Sequence, residues 1–282
     1  MLGSAALHAG WNLALRRHSD APAATVLLLC VASLLTLLLS LAVGPGDQSM
    51  RLAFQWGLFA GVSEGLYFIS LGRALRIGPL APVYTISRGL PVLVLWPASH
   101  FLLGEPVTLR AAIAVGLLFT GLLALLPSQS SPAATTGRGY SWAVLTAAFN
   151  AANGLIYKSA IVDGAALLPL FGSAMLVATL LATATLLPLR RGGQRELAAR
   201  FGRAFRAGKL EVALGAAACT GSFLIALYMM RYQGAAWVFT LRNSSIAFAQ
   251  LLGWAVLHER PSGRALAGVA CVFCGVIVLG TS

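Results

Sequence analysis

Residues 104–125, GEPVTLRAAIAVGLLFTGLLAL, and residues 258–279, HERPSGRALAGVACVFCGVIVL, decide how this chain is read. They align without a gap at an offset of 154, and seven of the 22 positions are identical, among them Glu105/Glu259, Arg110/Arg264, Phe119/Phe273 and Gly121/Gly275. The same offset sets Arg88 on Arg242, each inside an apolar stretch. A weaker match at an offset of 142 sets Leu13 on Leu155 and Arg16 on Lys158. Self-similarity over such distances marks an internal duplication.

Outward from these segments, apolar stretches recur at 2–15, 22–43, 52–72, 80–103 and 109–127, then at 140–160, 165–188, 210–230, 234–257 and 264–280. Most have the length of a bilayer crossing, roughly 17 to 25 residues. The first is short for one, which fits either a truncated start or a thinly embedded helix. The polar segment SQSSPAATTGRG at 128–139 separates the two sets of five. The expected fold is therefore an all-α integral membrane protein of ten transmembrane helices. Its first repeat is 1–127, its linker 128–139 and its second repeat 140–282. Five crossings per repeat make the second run opposite to the first, the inverted arrangement of many secondary transporters.

Composition agrees. Of 282 residues, 58% are hydrophobic and only 10% charged, with a mean hydropathy of +0.82, whereas soluble domains carry about 25% charged residues. The net charge of +12 comes from basic residues scattered through short connections, not gathered on one solvated face, so no nucleic-acid partner is expected. If the N-terminus is outside, the cytoplasmic connections carry 14 Lys and Arg against 4 on the other side, a bias of the positive-inside kind. The loop at 189–209 supplies half of it, and its Leu197, Phe201 and Phe205 recur at helical spacing. That pattern predicts an amphipathic helix on an anionic membrane face. The four cysteines lie in apolar spans, and Cys271 and Cys274, although a CxxC, read as small buried hydrophobes. A first stretch holding His8, Trp11 and Asn12 without a basic leader does not read as a cleavable signal peptide. Gly57, Gly61 and Gly65 make overlapping GxxxG spacings, the signature of a close helix neighbour.

Ionisable residues at membrane depth are expensive and so mark function. Glu64 and Arg88 each stand 12 residues from Arg76, which sets both about 18 Å from that connection at 1.5 Å per residue. Arg242 enters from the opposite face. One reading pairs Glu64 with Arg88 as a structural lock, and leaves Arg242 to backbone carbonyls or to an anionic substrate. Tyr84 and Pro91 flank Arg88 at helical spacings, and Pro91 frees a backbone carbonyl in mid-helix. Asn243 and Ser245 lie beside Arg242, while the sixth span adds Asn150, Asn153, Tyr157 and Lys158. His8 is either a proton-responsive group or a packed histidine, and Lys158 reads as snorkelling to the interface. No nucleophile elbow, HExxH helix, Walker A loop or paired carboxylates occur, so no enzyme, metal or cofactor is expected.

The chain resembles the EamA-type branch of the drug/metabolite transporter superfamily. The segments that carry the resemblance are LHAGWNLALRR, VYTISRGLPVLV with the following LLGEPVTLRAAIAVGLLFTGLLAL, and TLRNSSIAFAQLLGWAVLHERPSGRALAGV. The resemblance implies ten helices around a central cavity, in members that export or exchange amino acids and other metabolites. It implies polar site positions at Trp11, Asn12, Tyr84, Arg88 and Arg242. Many relatives carry a Glu where this chain has Asn243, and the family is drawn with both termini inside, against the charge count.

The expected function is secondary transport of a small anionic or zwitterionic metabolite. Arg88, Arg242, Tyr84, Trp11, Asn12, Asn243 and Ser245 would bind it, with Glu64 and His8 for coupling or charge balance. The expected setting is the bacterial inner membrane, as a multi-pass protein with the lipid bilayer, a small-molecule substrate and a second copy of the chain as partners. A flippase for a lipid-linked anionic headgroup and a membrane sensor or scaffold are the alternatives.

Overall fold

The computed structural model describes residues 1–16, 18–44, 46–77, 80–124, 137–187, 193–248, 251 and 262–280. Its elements are helices: α1 (Leu2–Arg16), α2 (Ala21–Val43), α3 (Asp47–Ile77), α4 (Leu80–Leu103), α5 (Leu109–Ala124), α6 (Gly137–Val162), α7 (Leu167–Leu186), α8 (Gly193–Ala207), α9 (Lys209–Met229), α10 (Ala235–Arg242) and α11 (Gly263–Gly280). Five of them contain windows long and apolar enough to cross a bilayer: α2, the 86–103 part of α4, α7, α9 and α11. The others are short, like α1, α5 and α10, or carry charged and amide side chains along their length, like α3 and α6.

Local chemistry sets the ends. Asp20 caps α2 by accepting from Ala23 N at 3.2 Å, and Pro22 in the first turn has no N–H to leave unsatisfied. Gly44 ends the same helix in the left-handed region at φ 61°, donating to Ser40 O, a conformation in which a Cβ would be strained. Boundaries shift by up to five residues, as at α3, read as 52–72 and observed as Asp47–Ile77, and two further differences change the organisation. The helix expected from 140 already starts at Gly137, so the last residues assigned to the linker are helical. The rest of that linker lies outside the described residues. The span expected to run unbroken over 234–257 stops at Arg242 and resumes over 245–248. Between these, Ser244 N bonds Leu241 O and Ile246 N bonds Asn243 O, both three residues back. The Ser244 hydroxyl also donates to Leu241 O at 2.6 Å. A run of Asn and Ser side chains competing for backbone groups tightens the helix there.

Helices from residues before 125 pack mainly on helices from residues after 136. The extensive contacts are α3 with α7 and α6, α5 with α11, α2 with α7, α4 with α6, and α1 with α9. Polar bonds cross the same seams. Ser4 Oγ donates to Ser222 O and Ser222 Oγ to Ser4 O at 2.7 and 2.8 Å, and Ser33 Oγ donates to Gly172 O at 2.8 Å. Small residues let these backbones approach where apolar matching gives no preference over lipid. Gly57, Gly61 and Gly65 all face α7, as the GxxxG spacing predicts.

The amphipathic helix is present as α8, but its apolar stripe is divided. Leu197 and Ala204 are buried, while Phe205 is 47% exposed with Arg195, Arg203 and Arg206. Arg200 holds α8 to the start of α2 through a two-point pair with Asp20, Nε to Oδ2 at 2.6 Å and Nη2 to Oδ1 at 2.9 Å. The hydrogen-bonded guanidinium holds the Asp20 carboxyl below the usual carboxylate range. A depressed native pKa gives stability that is present above the unfolded value, about 4, and lost as pH falls through the native one. Both side chains are about a third exposed, which limits the pair to roughly 0.5–1 kcal/mol. Asp20→Asn, which keeps an N-cap, is expected to raise amide exchange in α8 at neutral pH. The difference from the parent should close below about pH 4; a difference that persists there would assign it to the cap instead.

Candidate functional site

α1, α3, α4, α6, α9 and α10 surround one small cavity of about 20 Å³, room for about one water. The ionisable residues singled out by their depth converge on it. Glu64, Arg88 and Arg242 line it and are 3%, 8% and 7% exposed. His8 and Trp11 line it from α1 and Asn153 and Tyr157 from α6.

Each charge has defined company. The Arg242 guanidinium lies 3.7 Å over the Phe223 ring, a cation–π contact strengthened by burial. Its Nη2 donates to His8 Nδ1 at 3.2 Å, and Trp11 Nε1 donates to the same nitrogen at 3.2 Å. Accepting from two donors leaves Nδ1 without a proton and fixes the His8 tautomer. The Arg242 Nε has no hydrogen-bond partner. Glu64 Oε2 accepts from Asn153 Nδ2 at 2.6 Å, and both arginines act on Glu64 electrostatically.

The other residues expected at the site divide. Asn243 is buried, and its Nδ2 donates to Arg88 O at 2.7 Å. It therefore ties α10 to α4 beside a smaller apolar cavity between α4 and α5. Ser245 is buried but stands apart from the described lining of the central cavity. Asn12 and Tyr84 are on α1 and α4, and their side chains lie outside the described residues. Tyr67 and Phe223 belong to the lining and were not singled out in the sequence. Tyr67 had a signal there, since it follows Glu64 by three residues on one helix face. Phe223 had none, being one more aromatic in an apolar span.

Ionic side chains also hold backbone groups of the turn between α9 and α10. Lys158 is half-buried and is not among the described residues lining the cavity; its Nζ donates to Met230 O at 2.7 Å and Gln233 O at 2.9 Å. A cation on the last carbonyls of α9 is favoured by the helix dipole. Glu105 Oε1 accepts from Ala235 N at 2.7 Å, capping α10. A Cβ on Gly234 would lie 2.5 Å from Glu105 Oε2, so the turn into α10 admits the carboxylate only because that residue is glycine. The turn between α9 and α10 is thus held from α6 and from the α4–α5 connection.

Residues 137–281, a little over half of the chain, match the model of the EamA-like transporter family. A solved crystal structure superposes with a TM-score of 0.70 over 98% of this chain and 93% of its own, at 18% identity; so distant a relative speaks for the fold alone. A search of curated proteins finds no match. The family match, on an all-helical chain with several helices apolar enough to span a bilayer, makes this protein a multi-pass membrane member of the EamA-like transporter family, within the drug/metabolite transporter superfamily.

Proposed function

We propose that the chain is a secondary transporter of a small anionic or zwitterionic metabolite. It works by alternating access between two inverted repeats, 1–127 and 140–282, each of five membrane-crossing helices. The observation that carries the reading is the convergence of Arg88, Arg242 and Glu64 on one cavity lined by both halves. Two buried guanidinium groups facing one carboxylate leave an excess positive charge, which a substrate acid group would neutralise through charge-assisted hydrogen bonds. The free Arg242 Nε is a donor available to it.

The repeat has its own support in the α5–α11 contact. A Cβ on Gly121 would meet Gly268 O and Val272, and one on Gly275 would meet Ala114 O and Leu118. Shifting each residue by the sequence offset of 154 turns one set into the other, as a two-fold relation between the halves requires. The narrowness of the cavity supports a gated cycle, since a metabolite enters only when helices part. The latch of Lys158 and Glu105 on the α9–α10 turn would open on one face. The setting is the bacterial inner membrane, and no enzymatic step is involved.

The test is uptake or counterflow in proteoliposomes, with thermal stabilisation of the purified protein by acidic, zwitterionic and cationic metabolites. Arg88→Gln and Arg242→Gln are each expected to weaken the stabilising class at least tenfold, about 1.4 kcal/mol. Flux that survives neutralisation of both arginines would sink the assignment.

A further inference from the structure

The most basic helix among the described residues takes no part in the cavity. α8 carries four arginines and one glutamate in 15 residues, and Arg200 is the one engaged by Asp20. It joins α7 to α9, two helices apolar enough to cross a bilayer, so it lies at the membrane edge among headgroups. The protein holds it there. α8 packs on α2 and α9 with Leu197 and Ala204 buried. His18 Nδ1 accepts from Asp20 N at 3.0 Å, which puts the ring proton on Nε2, and Nε2 donates to Ala204 O at 2.9 Å. A helix fixed along one side presents its remaining sectors in a set order.

At about 100° per residue, those sectors differ in chemistry. Phe201 and Phe205 lie on one flank of the docked face, the first half-buried and the second 47% exposed. Arg195 and Arg206, both exposed, fall within about 20° of each other on the side away from the protein, next to the phenylalanine flank. Arg203 falls about 160° from Phe205, on the far flank with Glu196 and Arg200. With the phenylalanine edge in the bilayer, Arg195 and Arg206 stand at the level of the lipid phosphates and Arg203 points to water. α9 then enters the bilayer with Leu210 and Leu214 63% and 61% exposed. We propose that α8 is a docking site for anionic phospholipid. Arg195 and Arg206 hold phosphate oxygens through charge-assisted hydrogen bonds, and Phe201 and Phe205 rest against the acyl chains. Charge favours this occupant: the connections on the α8 side carry 14 Lys and Arg against 4 opposite, and an anionic leaflet attracts such a surface. The site is independent of the central cavity and of what is transported.

The test uses the full chain in phosphatidylcholine vesicles, with Phe205→Trp as a local reporter and the parent fluorescence subtracted. Quenching of the introduced indole is compared for equal small fractions of phosphatidylglycerol and phosphatidylcholine with brominated acyl chains. Both should quench, and phosphatidylglycerol should be preferred about fivefold or more. Adding Arg195→Gln and Arg206→Gln together should abolish the preference, while Arg203→Gln should leave it unchanged. All three side chains are exposed, so the fold should be retained in each variant. Glycerol phosphate in the aqueous phase should not compete; competition would show a site for free phosphate groups and overturn the lipid assignment. An indole quenched by neither lipid would place this edge of α8 in water, open to a soluble acidic partner, and would overturn the proposal. So would equal quenching by the two lipids, or a loss in Arg203→Gln as large as in the double variant, since either would reduce the arginines to diffuse surface charge.

Discussion

Gly61→Val is expected to destabilise the protein by about 3 kcal/mol, or to prevent its accumulation. A Cβ at this position would lie 2.5 Å from Val177 Cβ and 2.6 Å from Ala174 O on α7. The second of these is backbone, which cannot rotate away as a side chain can. Relief would require α3 and α7 to separate, and with them the seam that also holds Gly57 against Ser173 and Gly65 against Leu181. Association in lipid depends on such close packing because there is no water to drive the helices together. The control is Gly72→Ala in the same helix, where nothing stands within 4 Å of the added carbon. It should be neutral or slightly stabilising, since alanine is the better helix former. Thermal unfolding in detergent compares the two. A Gly61→Val protein that melts with the parent would mean that α3 and α7 do not approach this closely.

Glu64→Ala is expected to cost about 3–5 kcal/mol, the range for removing one member of a buried charge group. Glu64 is the one carboxylate among the described residues lining the cavity, and Arg88 and Arg242 both act on it. The deletion would leave two buried cations without it and take the acceptor from Asn153 Nδ2. Glu64→Gln separates these effects. It keeps an acceptor for Asn153 and loses only the charge, so its melting temperature should fall between those of the parent and Glu64→Ala. A Glu64→Ala protein as stable as the parent would show that the arginines are satisfied without a counter-charge.

Much of the site was legible because charge in an apolar span is rare. Glu64, Arg88 and Arg242 stood out by their depth, and all three line the cavity. His8 and Trp11 were read from polarity in the first span and joined them. Asn243 was legible as a polar residue, but its role was not. Its side chain binds the Arg88 carbonyl, a partner 155 positions away that no local pattern points to. The break after Arg242 was missed because an apolar run with Asn and Ser inside it looks continuous by hydropathy. Only the hydrogen bonds show where the turn tightens. Lys158 was read as reaching for the interface, and its carbonyl partners, Met230 and Gln233 in the turn after α9, are more than 70 positions away, where no local pattern points.

The sequence by itself determined that this is a helical membrane protein, where its helices lie within a few residues, and that Glu64, Arg88 and Arg242 are buried, though not that Glu105 is. Hydropathy and period are local, and the bilayer demands of each segment that it satisfy its own backbone. The tertiary structure alone decided that α3 meets α6 and α7 and that Glu105 caps α10. It also decided that Asn153 turns one side of its amide to Glu64 and the other to the cavity. Those are choices among equally apolar neighbours, made by the fit of small residues and by polar groups that must find partners. Such partners come together only when the whole chain is packed.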